Sequence, residues 1–277
     1  MSIKRAKRDR WLLGVCAGVA HSQGWSPGLT RLATAVLAVV IPGFSLVPVL
    51  VIYIVLGAVL PESEEFYRLD FAKAQKEAIG CTKCGLCHSR TQVVFGDGPL
   101  TAELLVVGES PGFNEDREGQ PFRGASGMLL DRLLESLELG RERVYLTSLV
   151  KCRPPGSPPR PPKPSEISAC RPYLVSQLAA VDPKVVVALG DLASRVLTGR
   201  KESVSRIRGR AIPLDGRYVF PTLSLTRALY TPAERALLIS DFSRLPELLE
   251  TERPSTYETL NVTRSSAERE PLQPGLW

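Results

Sequence analysis

Apolar and charged positions divide the chain into stretches of different character. Five basic residues, Lys4, Arg5, Lys7, Arg8 and Arg10, precede a short apolar segment from Trp11 to Ala20. A turn follows at Gly24-Trp25-Ser26-Pro27, where Ser26 is suited to cap a helix and Pro27 to open one. From Leu32 to Pro61 thirty residues carry no charge, with Pro42-Gly43 and Pro48 interrupting the run. The apolar pieces left are about ten and fifteen residues long, against the roughly twenty that a spanning helix needs. This pattern predicts a small helical membrane-associated domain over residues 1–62, either one kinked span or two shorter helices. A buried hairpin of a soluble domain and a secretory signal peptide are the alternatives. Against the signal peptide, Ser26, Pro27 and Arg31 break the apolar stretch, and Pro61-Glu62 is a poor cleavage site.

A charged connector follows, and residues 63–76 read as a linker. Beyond it the pattern alternates. Short β-rich runs at 103–107, 144–150, 184–189 and 218–223 are separated and followed by helical patterns at 127–139, 165–181, 191–197 and 232–249. Strands spaced by helices predict an α/β domain over residues 77–250, with a mostly parallel sheet covered on both faces. The polar, proline-containing residues 251–277 read as a loose tail.

Composition narrows the class. A chain 44% hydrophobic and 23% charged is neither a disordered tail protein nor a collagen-like repeat. The net charge of +6 favours an acidic partner, nucleic acid or anionic lipid. Six cysteines in 277 residues are too few for a disulfide scaffold. Cys81-x2-Cys84, Cys152 and Cys170 provide four thiols that could hold zinc or an iron–sulfur cluster, with Cys87 as a spare and Cys16 set apart in the apolar segment. Zinc ribbons usually pair two short knuckles. The wide spacing of Cys152 and Cys170 suits a four-cornered cluster better, while reduced buried cysteines without metal remain the simpler reading. Thiol ligation needs a reducing compartment, which places the globular part on the cytoplasmic side of the membrane or in the cytoplasm. With the basic N-terminus also inside, an even number of crossings or surface attachment through residues 32–60 is expected.

Two resemblances add to this reading. Arg8-Asp9-Arg10-Trp11-Leu12-Leu13-Gly14-Val15-Cys16-Ala17-Gly18-Val19-Ala20, the Gly24-Trp25-Ser26-Pro27 turn and the apolar run closing at Val59-Leu60-Pro61-Glu62 resemble a PspC-type domain over residues 5–62. Residues 77–249 resemble the type-4, iron–sulfur uracil-DNA glycosylases of the uracil-DNA glycosylase superfamily. The matching motifs include Cys81-Thr82-Lys83-Cys84-Gly85-Leu86, Val107-Gly108-Glu109-Ser110-Pro111-Gly112, Gly119-Gln120-Pro121-Phe122-Arg123-Gly124, Val150-Lys151-Cys152-Arg153-Pro154-Pro155-Gly156 and Cys170-Arg171-Pro172.

The second resemblance implies a four-stranded parallel sheet flanked by helices. It also implies a 4Fe-4S cluster on Cys81, Cys84, Cys152 and Cys170, with Cys87 a non-ligand, and uracil excision from DNA by hydrolysis of the N-glycosidic bond. Phe122 matches the family's stacking aromatic. Glu109 and Glu115, with Gly108 and Gly112, match the loop that positions water and sugar. Two positions depart from the family's motifs. Ser148 stands where an asparagine reads the uracil edge, and Ser224 stands where a histidine stabilises the leaving base. A hydroxyl cannot make the paired contact of an amide, and loss of a preorganised donor typically costs about 100- to 1000-fold in rate. No histidine follows His88 to take the second role. Arg227, close to Ser224 in sequence, is a candidate source of compensating charge. Arg141, Arg143, Lys151, Arg153, Arg160 and Lys163 around a proline-rich loop, with Arg206, Arg208 and Arg210, form the expected DNA-binding surface; an ordinary solvated basic face is the alternative. Two further readings stay open: a catalytically silent DNA- or partner-binding module tethered to the membrane, and an envelope-stress sensor whose cluster reports redox state.

Overall fold

A computed structural model describes residues 63–254. The membrane-associated segment read over residues 1–62, and the tail beyond residue 254, lie outside the described residues. The chain divides into two compact units, Met1–Asp70 and Phe71–Trp277; the site lies in the second. Among the described residues no helix is long and apolar enough to cross a membrane.

The first element differs from the expected linker. Residues Ser63–Ile79 form one continuous helix, α1. No glycine or proline falls in it, acidic residues stand at its start and Lys76 in its last turn, all of which favour helix. Gly80 follows it.

The sheet contains β1 (Leu104–Gly108), β2 (Val144–Ser148), β3 (Val185–Leu189), β4 (Ile212–Leu214) and β5 (Arg217–Thr222), in the order β2-β1-β3-β5-β4. Every residue of β1, β2 and β3 is buried. Burial along the whole length, with β1 and β3 wholly apolar and β2 ending in the buried Thr147 and Ser148, suits parallel strands with helices on both faces. Alternate side chains feed two cores. Leu105, Val107, Val186 and Val219 pack with Ile167, Leu174 and Leu178 of α4 (Pro164–Val181). Leu104, Val106, Val187 and Phe220 pack with Leu130 and Leu134 of α3 (Ala125–Glu135) and Phe242 of α8 (Pro232–Phe242).

The four parallel strands stand where the sequence placed them, each within two residues or so. The four expected parallel strands are all present, and a short fifth, β4, is added antiparallel to β5. Asp215-Gly216 joins the two with φ of 53° and 65°, the left-handed pair of a tight hairpin turn. The single helix expected over 232–249 is two, α8 and α9 (Leu245–Glu250). Pro246 has no N–H to continue the first ladder, so the chain starts again. Three short helices escaped the sequence reading: α2 (Phe113–Glu118), α6 (Val204–Ile207) and α7 (Leu225–Tyr230). The remaining helix, α5 (Gly190–Thr198), follows β3 directly.

Candidate functional site

Strand order reverses between β1 and β3, and in an open parallel sheet such a switch leaves a crevice at the strands' carboxyl ends. A cleft of about 580 Å³ opens there. It brings together Gly108, Glu109, Gly112, Glu115, Phe122, Ser148, Ser224 and Arg227, residues scattered over more than a hundred positions of sequence.

Gly108 ends β1, and a Cβ there would lie 3.0 Å from Phe122 Cζ, so the missing side chain lets the aromatic ring close on the strand end. Phe122 adopts φ of 54°, a left-handed conformation that costs a bulky residue roughly 1–3 kcal/mol and persists only where its surroundings impose it. Two residues impose it here. Arg141 donates to the carbonyls of Pro121 and Phe122 while paired with Asp131 at 2.7 Å. The buried Glu115 accepts from the main-chain N–H groups of Arg123 (2.9 Å) and Gly124 (3.0 Å) at the head of α3. Its carboxylate is therefore engaged in fixing the loop that carries the ring.

Glu109 is half-buried, and burial pushes its carboxyl above the usual range. The charge of Asp191 adds to that rise, and a hydrogen bond from the main chain of Leu192 opposes it. Gly190, at φ of 87°, separates Glu109 from Ser224: a Cβ on it would lie 2.9 Å from Glu109 Oε1 and 3.5 Å from Ser224 Cβ. The carboxyl and the serine thus face one another across a residue whose lack of a side chain keeps the gap open. Sequence reasoning singled out neither Gly190 nor Asp191 as site residues, although the turn after the third parallel strand was a visible signal. Ser148 is buried at the end of β2, with its Oγ 3.7 Å from the same notional Cβ on Gly108 that meets the Phe122 ring. Arg227 reaches the cleft from α7 but is ion-paired with Glu234, which offsets its charge.

The thiols gather at a second place. Cys81, Cys84, Cys87, Cys152 and Cys170 all line one small cavity. All five are free thiols. Burial raises Cys84 and Cys152 and pushes Cys170 up to about 11, and each would feel the charge of its thiol neighbours. Two donors already face the sulfurs. Arg90 donates to Cys152 Sγ (3.3 Å) and to the carbonyl of Cys81 (2.8 Å), and the main-chain N–H of Lys151 donates to Cys170 Sγ (3.2 Å). Among the described residues no group of three or more His, Cys, Asp or Glu is placed to hold a single metal ion. Four gathered thiols, with N–H groups directed at two of them, have the donor chemistry of a thiolate-held metal or iron–sulfur group.

The expected DNA-binding residues separate into two sets. Lys151 is 1% exposed, and its ammonium donates to Thr147 Oγ1 (2.6 Å), the Ser148 carbonyl (2.7 Å) and Gln177 Oε1 (2.7 Å). Burial lowers it to about 7. It cannot reach a phosphate, which corrects the sequence reading. Arg208, half-buried, is engaged within the fold: its guanidinium forks onto the buried carboxylate of Asp241 at 2.6 and 3.0 Å and donates to the Leu237 carbonyl. Arg206 and Arg210 are exposed, and Arg153 is half-exposed with Nη2 on the Gly156 carbonyl.

Arg160, on the proline-rich loop that forms one wall of the cleft, grips the buried Glu166 at 2.6 and 2.9 Å. That contact, helped by the Lys163 N–H, holds the Glu166 carboxyl below the usual carboxylate range. A depressed carboxyl stabilises the fold above its ordinary value, and the contribution is lost as pH falls through the lowered one. Protection from hydrogen exchange at residues 163–167, relative to the intrinsic rate at each pH, should therefore hold from neutrality to about pH 4, the ordinary value for glutamate, and fall below it. In Glu166→Gln protection should be low throughout, without the pH step.

Comparison with known proteins agrees with the motif resemblance. The family model for the uracil DNA glycosylase superfamily matches residues 95–245, and that for the PspC domain matches residues 1–63. The type-4 uracil-DNA glycosylase of Sulfurisphaera tokodaii is 40% identical over 185 residues, covering 64% of this chain and 83% of the relative. That of Archaeoglobus fulgidus is 37% identical over 193 residues, covering 67% and 96%. That of Thermotoga maritima is 39% identical over 176 residues, covering 62% and 91%. With the family model spanning over half the chain, and relatives matched over most of their length, this protein belongs to the uracil DNA glycosylase superfamily and groups with its type-4 members.

Proposed function

We propose that this protein is a base-excision DNA repair protein of the uracil-DNA glycosylase type, holding a 4Fe-4S cluster on Cys81, Cys84, Cys152 and Cys170. The observation that carries the reading is the cleft at the carboxyl edge of the sheet, where the Phe122 ring, Glu109 and the ends of β1 and β2 meet. An extruded base needs a flat apolar surface; Phe122 offers one, and Gly108 lets its ring close on the end of β1. Glu109, raised by burial, is suited to hold or take a proton at its carboxyl while it orients water toward the sugar. Glu115 acts one step back, by fixing the loop under Phe122. Ser148 and Ser224 each present a single hydroxyl, which leaves the base edge under-read and the departing charge under-stabilised. When bound, the cluster would supply a covalent tie between the segment after α1, the loop after β2, and α4. The PspC-like N-terminal segment supports membrane association, and the need for reduced thiols supports a cytoplasmic face for the domain.

The test is base release from single-stranded and mismatched uracil DNA by cluster-loaded full-length protein. Slow accumulation of abasic sites above the buffer rate is expected. Tight binding with no abasic product would reject excision and support a second reading, a silent DNA-binding module, which the two serines favour.

A further inference from the structure

Phe113 opens α2 at the mouth of the cleft and is 59% exposed, although its ring is among the larger apolar groups on this surface. It belongs to neither core. Two guanidinium groups stand at the ring, each with Cζ 5.6 Å from its centroid: Arg117, one turn further along α2, and Arg153, from the loop after β2. Arg117 is exposed, and Arg153 is steadied by the Gly156 carbonyl. Both guanidinium groups lie over the exposed ring, and such cation–aromatic pairs hold unpaired nucleotides when a base takes the ring face and the displaced guanidinium groups turn to the flanking phosphates. Duplex DNA keeps its base faces covered and offers such a ring nothing.

We propose that Phe113, with Arg117 and Arg153, is a stacking platform for a second nucleobase, the neighbour in the strand of the base held against Phe122, and that it makes the protein prefer single-stranded DNA. This rests on the DNA reading above. The apolar ring supplies affinity without sequence preference, and the two arginines supply its salt dependence.

The test uses cluster-loaded full-length protein and a single-stranded oligonucleotide carrying uracil next to the fluorescent base 2-aminopurine. The natural protein should bind it, with a change in 2-aminopurine emission. Phe113→Ala should weaken that binding on the order of 10-fold and abolish the emission change, with duplex affinity and thermal midpoint unaltered. Phe113→Trp should retain both. Arg117→Gln should flatten the dependence of affinity on salt. Equal single-strand affinity and equal emission change in Phe113→Ala would overturn the platform while leaving the DNA reading intact. Failure of the natural protein to bind either form of DNA would overturn the DNA reading, and the platform with it.

Discussion

Ser148→Asn combined with Ser224→His should raise the rate of uracil release on the order of 100- to 1000-fold over the natural chain. The surroundings of both positions are already in place. Ser224 is the residue just before α7 and faces Glu109 across Gly190, where an imidazole would find open cleft and a carboxyl neighbour. Ser148 ends β2 beside the Phe122 ring, the position from which an amide could offer a donor and an acceptor to a base edge at once. The two changes should divide the effect. A donor for charge that develops on the departing base acts only in the transition state, so Ser224→His should raise kcat with little change in KM. The edge reader should mainly sharpen the preference for uracil over cytosine. A folded, cluster-loaded double variant that releases uracil no faster than the natural chain would remove the two serines as the reason to expect slow excision.

Cys170→Ser should abolish iron binding and lower stability on the order of 3–5 kcal/mol, the scale of a cross-link closing long loops. The four sulfurs come from the segment after α1, the loop after β2 and the middle of α4, so their common ligand would fasten pieces that are distant in sequence. Serine at 170, with its shorter bond to oxygen, would also pull the acceptor back from the buried Lys151 N–H. Cys87→Ser should leave iron content and thermal midpoint unchanged. Iron analysis, visible absorbance and anaerobic melting of the two variants check this together. Full iron in Cys170→Ser, or its loss in Cys87→Ser, would mean that the ligand set is wrong.

The parallel strands were legible because burial on both faces writes them as unbroken apolar runs, such as Val185–Leu189. β4 is only three residues long, with Pro213 at its middle, and carries no such run. Its one signal was local, the Asp215-Gly216 pair beside apolar neighbours. Membership of the cleft was legible through motif order, since the loops after β1, β2 and β5 all reach the same end of the sheet. The fate of a basic residue was not. Lys151 and Arg208 read like any surface cation until the fold supplies Gln177, 26 positions away, and Asp241, 33 positions away. Gly190 was hidden for a similar reason: its importance comes from the side chains of Glu109 and Ser224, which flank it only after folding.

Both margins of the described sheet are blunted. On one side β4 is short, and Pro213 has no N–H to offer an incoming strand; on the other, Asp97 exchanges two main-chain hydrogen bonds with Leu146 of β2, at 2.7 and 2.9 Å. Edge-to-edge growth between copies is thereby discouraged at both flanks. On the DNA reading proposed above, copies bound side by side on one polyanion would be kept from joining through their sheets, with the strand tips as the face that meets the polymer.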